Sequence, residues 1–179
     1  SFDDILIGEI DTNLAVKWAK LITAFGASDS KHTTQTKNMD YINGSLYLSG
    51  MMKGGFAPYG EEEARIASKS TPLNGFVIKC DASNGEWLGG VSADEQGIGG
   101  YFGVAKGKEN NLYAYGYSWA TPNKGICLTT IDESSWEKTE KIALITETGM
   151  GTAWSCLADG TNFYSFSRGN KAVNFYNSE

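Results

Sequence analysis

The side chains able to do chemistry are few in this sequence, and they gather in polar stretches between apolar runs. One histidine, His32, stands in the segment Ser28-Asp29-Ser30-Lys31-His32-Thr33-Thr34. A hydrolytic triad or a histidine-based metal site would have to be built on that residue, and no flanking ligand pattern accompanies it. Asp94 and Glu95 could divide the acid and base roles of a hydrolase. As neighbours on an extended chain they point to opposite sides, which makes them poor partners for each other. Glu61-Glu62-Glu63 reads as a solvated charge run. The three cysteines, Cys80, Cys127 and Cys156, sit singly inside apolar strand-like runs without CxxC spacing. Buried free thiols are therefore expected, not a disulfide framework or a zinc site. A DxDxDG calcium loop is absent. Gly54-Gly55, Gly89-Gly90 and Gly99-Gly100 lack the strand-then-helix context of a phosphate loop and read as turns. The expectation is no metal, no cofactor and no catalytic residue.

What remains is recognition. Trp119, Phe56 and Tyr59 lie in polar connecting stretches, as do Asp94, Glu95 and His32, and these six form the candidate ligand-binding set. Exposed aromatics beside carboxylates and amides suit sugar rings, and large exposed apolar groups also mark protein contacts. The partner expected on this basis is a glycan or a protein. Phe56 and Tyr59 have a structural use as well, since either could pin a long insertion to the body.

Bulk properties narrow the classes further. The 179 residues are 41% hydrophobic and 20% charged, which suits a globular chain able to bury a core. The formal charge of −6 and scattered Lys and Arg speak against nucleic acid, whose binding needs a basic face to displace counterions. No stretch approaches the roughly 20 apolar residues of a membrane-spanning helix. The chain opens Ser1-Phe2-Asp3-Asp4 without an initiator Met or signal-like run, which reads as a mature or trimmed start.

The elements that must position these residues come from an internal repeat. Ile5-Leu6-Ile7-Gly8-Glu9-Ile10-Asp11, Gly75-Phe76-Val77-Ile78-Lys79-Cys80-Asp81 and Gly125-Ile126-Cys127-Leu128-Thr129-Thr130-Ile131-Asp132 each end an apolar strand in an Asp. Each Asp opens a turn, with its carboxylate available to the turn amides. Each turn is followed by a tryptophan, Trp18, Trp87 or Trp136, at spacings of 7, 6 and 4. These three are read as equivalent packing residues, with a shortened turn at Asp132. A second hairpin type alternates with the first, and its markers are Tyr47, Tyr113 and Tyr164, likewise packing residues. Tyr41 to Gly50 shows it best, with Asn43-Gly44 at the tight turn. Trp154 begins an innermost strand, and core packing is expected of it. The marker tyrosines lie 66 and 51 residues apart and the marker aspartates 70 and 51, so the two drift together.

Four short antiparallel strands in each unit of about 40–50 residues describe the blade of a β-propeller. The predicted fold is all-β, with about three such blades: a half blade at 5–22, units at 38–88 and 100–144, and a partial unit at 152–176. Residues 51–74 are read as an insertion on one connection. The loops expected to share the functional face are 23–37, 51–74, 89–99, 117–124, 145–151 and 168–170.

Asp11 to Trp18-Ala19-Lys20, then Asn43-Gly44-Ser45-Leu46-Tyr47-Leu48-Ser49-Gly50, then Gly75 to Asp81 resembles the bacterial SBBP-type β-propeller repeat. The match is best over 5–88 and weaker over 100–179. The resemblance implies a fold and a secreted or cell-surface bacterial location, with no enzymatic activity common to the family. Three functions follow as expectations: a non-catalytic binding module, a scaffold segment of a larger surface protein, and an incomplete part of a propeller glycosidase or lyase. Three blades fall short of the usual four to eight. Exchange of the orphan hairpins between two chains would complete a six-bladed ring as a homodimer, although Lys171 to Tyr176 competes for the same slot.

Overall fold

Apolar residues alternating with period two specify strands buried on one face, short continuous apolar runs specify strands buried on both, and strands are what this sequence forms. The computed structural model describes residues 4–26, 35–68, 73–93, 98–118, 125–144, 153–158, 162–167 and 173–177, with side chains as far as Thr139. Among the described residues there is no helix, and so none long and apolar enough to cross a membrane.

The strands are β1 (Ile5–Ile10), β2 (Val16–Phe25), β3 (Gln35–Ile42), β4 (Ser45–Met52), β5 (Gly55–Pro58), β6 (Ile66–Ala67), β7 (Asn74–Asp81) and β8 (Trp87–Ser92). They continue with β9 (Ile98–Lys106), β10 (Asn111–Ser118), β11 (Gly125–Asp132), β12 (Lys138–Leu144), β13 (Ala153–Ala158), β14 (Asn162–Ser167) and β15 (Val173–Asn177). They form four antiparallel sheets: A in the order β1-β2-β5-β6, B as β3-β4-β7-β8, C as β9-β10-β11-β12, and D as β13-β14-β15.

Two expectations change here. The hairpin β1–β2 is not an isolated half unit, and residues 51–74 are not a plain loop. The insertion leaves sheet B after β4, and β5 pairs with β2 from Ile22↔Pro58 to Phe25↔Gly55. Strand β6 then pairs with β5, so the insertion completes sheet A before the chain returns to sheet B at β7. Phe56 drives this, because it is fully buried and meets Phe76 edge-on at 4.9 Å between ring centroids. At the other end β15 pairs with β14 from Asn162↔Asn177 to Phe166↔Val173. The places beside the β1–β2 hairpin are thus filled from within the chain, and β15 takes the third place of sheet D, which among the described residues has three strands.

The sheets stack face to face. On β4 and β7, Leu48, Met52, Phe76, Ile78 and Cys80 point to sheet A, where they meet Ile7, Ile22, Ala24 and Phe56. The alternate residues Tyr47 and Val77 point to sheet C and meet Ile98, Tyr101, Val104, Leu112 and Cys127. Sheet B is therefore apolar on both faces, as a sheet buried on two sides must be. Strand β13 of sheet D lies against β9 and β10. Cys80 and Cys127 are buried and outside any disulfide, as expected, and burial pushes the Cys80 thiol up to about 11. Such a thiol is inert at neutral pH.

The turns show what the Asp markers do. Asn43 and Gly44 both have positive φ, 48° and 80°, as a two-residue hairpin requires. Asp81 accepts bonds from Ser83 N and Oγ, and Asp132 accepts the same pair from Ser134. In both turns the Asp N–H donates to a carbonyl five residues on, Glu86 or Glu137, and its carbonyl accepts from the residue at the fourth place. That fourth residue is Gly85 (φ 73°) in one turn and Trp136 (φ 60°) in the other.

Trp136 therefore matches Gly85, not Trp87, and the turn at Asp132 is not shortened. The tryptophans are not equivalent, although all three pack between sheets: Trp18 and Trp87 between A and B, Trp136 between B and C. The unequal spacings reflect three different sites. Trp136 lies over Gly89 so closely that a Cβ there would fall 2.2 Å from the indole. Gly89→Ala is expected to cost about 1–3 kcal/mol by overpacking, read as a lower midpoint in thermal unfolding. An unchanged midpoint would show that the indole can move aside freely.

Candidate functional site

Two polar constellations stand out on this frame. The first centres on Glu133, whose side chain is 6% exposed. Its Oε1 accepts from Lys79 Nζ at 2.8 Å and from the Tyr47 hydroxyl, and its Oε2 accepts from Lys106 Nζ. The Lys79 ammonium also lies 5.5 Å from the centre of the Tyr47 ring. Burial alone would raise the Glu133 carboxyl, but the bonds from Lys106, Lys79 and Tyr47 outweigh it and hold the group below the usual range. Burial and the adjacent carboxylate push Tyr47 well above the ordinary phenol range.

Glu133 comes from the β11–β12 turn of sheet C and Lys106 from the end of β9, while Tyr47 and Lys79 belong to sheet B. Every partner is satisfied by another member, so the cluster is an interlock between two sheets. It sits at the end carrying the Asn43-Gly44 and Asp81 turns, opposite the loops expected to bear function. The sequence held a weak signal for it, an acidic residue directly after the marker Asp132. A second bond between these sheets runs from Val104 N to Asp40 Oδ2 at 3.0 Å, with Asn38 Nδ2 also donating to Asp40. Burial raises the Asp40 carboxyl, against the lowering effect of those two donors.

The second constellation is an open groove of about 650 Å³ between sheet A and the β7–β8 turn. Tyr59, Arg65, Lys20, Asn84, Glu86 and Trp87 contribute to its lining. The backbone of Tyr59 is tied to β2 by its N–H on the Leu21 carbonyl at 3.1 Å, while the side of the residue that faces water leaves it 74% exposed. Arg65 is held flat by a two-point pair with Glu61, at 2.9 and 2.5 Å. Asn84 accepts from Glu86 N at 2.8 Å, which fixes the opposite wall.

Of the six candidate ligand residues, Tyr59 lies on this groove. Phe56 is in the core between sheets A and B, pinning the insertion, and presents no surface to a ligand. His32, Asp94, Glu95 and Trp119 fall outside the described residues. In Glu61-Glu62-Glu63, Glu61 is committed to Arg65. The groove residues Asn84, Glu86 and Arg65 were missed because Asn84 reads as a turn former and the others as solvated charges. Among the described residues no three His, Cys, Asp or Glu side chains converge as metal ligands would. No family model matches the chain, and no curated protein is significantly similar to it. The likeness to the SBBP-type repeat therefore rests on the quoted residues alone.

Proposed function

We propose that this chain is a propeller-type repeat protein acting as a non-catalytic binding module, and that it takes a glycan in the groove beside Tyr59. The observation that carries the reading is Tyr59 itself, an aromatic ring 74% exposed above a fixed backbone and flanked by Asn84, Glu86 and Arg65. An exposed ring offers a flat apolar surface to a pyranose, and amide, carboxylate and guanidinium groups at its rim supply directional bonds to hydroxyls. The four stacked sheets favour the propeller reading, and the sequence resemblance favours a bacterial protein that is secreted or held at the cell surface.

The test is a glycan array followed by calorimetry on the best binder. Tyr59→Ala and Glu86→Ala, both at exposed positions, are expected to weaken binding about tenfold each, the scale of one lost ring stack or one charged bond. Stability should stay within about 0.5 kcal/mol, as for surface substitutions generally. Absence of any glycan binder, or a binder indifferent to both changes, overturns the reading.

A further inference from the structure

A different part of the surface carries an inference independent of the glycan groove. Sheets A and B are stacked with the end strands β1 and β3 side by side, and among the described residues neither has a second partner strand. Between these two edges runs a continuous groove in two sections of about 450 and 390 Å³, joined at Gly8 and Met39. Its walls expose Leu6 (72%), Met39 (54%) and Tyr41 (70%).

The two edges differ. Strand β3 is broken by a register shift between Thr36 and Asn38 and is tied to sheet C through Asp40 and Val104. Strand β1 keeps regular register with β2 from Ile5 to Glu9, with its only irregularity at Glu9/Ile10. Sheet edges are ordinarily blunted by Lys, Pro, bulges or inward charges. The β1 sequence Ile5-Leu6-Ile7-Gly8-Glu9-Ile10 has one charge, and that charge is spent on Lys17 and Trp18 of β2.

We propose that β1 is a docking edge for an extended polypeptide segment of alternating apolar and basic residues, which adds as a strand beside it and fills the groove. Strand addition of this kind draws affinity from backbone bonds and specificity from alternate side-chain pockets. Charge selects the occupant. The carboxylates lining the two sections are Asp4 and Glu9, the second shared with Lys17 of β2, and no Lys or Arg is among the described lining residues. The chain carries a net charge of −6, so a second copy meets repulsion where a basic segment meets attraction.

The probes are three synthetic decapeptides, alternating Lys-Val, Lys-Gly and Glu-Val, with backbone hydrogen exchange of the protein as readout. Alternating Lys-Val is expected to slow exchange across residues 5–10, and Leu6→Lys or Met39→Lys, both exposed, to weaken that effect at least tenfold. Alternating Glu-Val should protect far less. Three results overturn the proposal: no protection of 5–10 by Lys-Val, equal protection by Lys-Gly, or protection that appears without peptide as protein concentration rises. The second would reduce the edge to a charged surface, and the third would assign it to a second copy of the chain.

Discussion

Phe56→Ala is expected to lower the stability of the fold by about 3–5 kcal/mol, the cost of emptying a buried aromatic site. Phe56 is fully buried against Phe76, and it lies on β5, whose whole length is Gly55–Pro58. So short a strand gains little from its own backbone pairing with β2, and the ring is its main hold on the core. The loss should therefore spread beyond a cavity to the docking of β5 and β6, leaving β2 with one partner strand. Urea unfolding followed by tryptophan fluorescence would show a lower midpoint, while hydrogen exchange would show faster opening of residues 55–58 than of β4 or β7. A change of less than about 0.5 kcal/mol, the range of surface substitutions, would mean that the ring is not in the core and would return Phe56 to the ligand candidates.

Glu133→Gln is the second large effect, and its size depends on pH. At neutral pH the substitution leaves Lys79 and Lys106 facing each other without the carboxylate that both contact, and the Tyr47 hydroxyl then donates to a neutral amide, a weaker acceptor. Loss of one partner in a buried ion pair costs about 3–5 kcal/mol. The two lysine side chains are 23% and 31% exposed and keep some hydration, so about 2–3 kcal/mol is the expected value here. The folded Glu133 carboxyl is held below the value it takes in the unfolded chain. Its contribution is therefore complete above the ordinary carboxylate range and is lost as pH falls through the folded value, because the unfolded chain binds the proton first. The stability gap between the native protein and Glu133→Gln should be widest near pH 7 and should close below pH ~4. Asp40 titrates in the opposite sense, its folded carboxyl being raised, so its contribution is present in acid and lost as pH rises through the folded value. Asp40 is common to both proteins and largely cancels in the difference. A gap that does not change between pH 7 and 3 would show that Glu133 acts by shape and not by charge.

The interlock also bears on how the two proposed binding places work. Sheets B and C are joined at one end by Glu133 and along β3 by Asp40, while sheet A is joined to B by an apolar layer with the insertion folded across it. Both the Tyr59 groove and the β1 edge belong to sheet A and its seam with B. The surfaces assigned to partners thus lie on the sheet whose completion depends on β5 and β6, and Phe56→Ala should impair the glycan groove even though Phe56 touches no ligand.

The parts of this molecule that the sequence determined by itself are those governed by neighbours along the chain. Asn43-Gly44 had to be a tight hairpin, since two successive positive φ angles are tolerated there by these residues. Asp81 and Asp132 had to open turns, since a short carboxylate reaches the amide two residues on. The apolar runs Leu46 to Met52 and Phe76 to Cys80, rich in aromatic and aliphatic residues and bounded by turn formers, had to give strands buried on both faces. What only the tertiary structure decided depends on residues far apart. No local pattern says that four residues at Gly55–Pro58 leave their own sheet to pair with Ile22–Phe25. None says that Trp136 takes the left-handed place filled elsewhere by Gly85 so as to lie on Gly89, or that Glu133 reaches Tyr47, 86 positions away. Turn chemistry is settled within five or six residues, whereas strand partners and buried charge pairs are chosen by which apolar faces can be covered together, and that choice belongs to the whole fold.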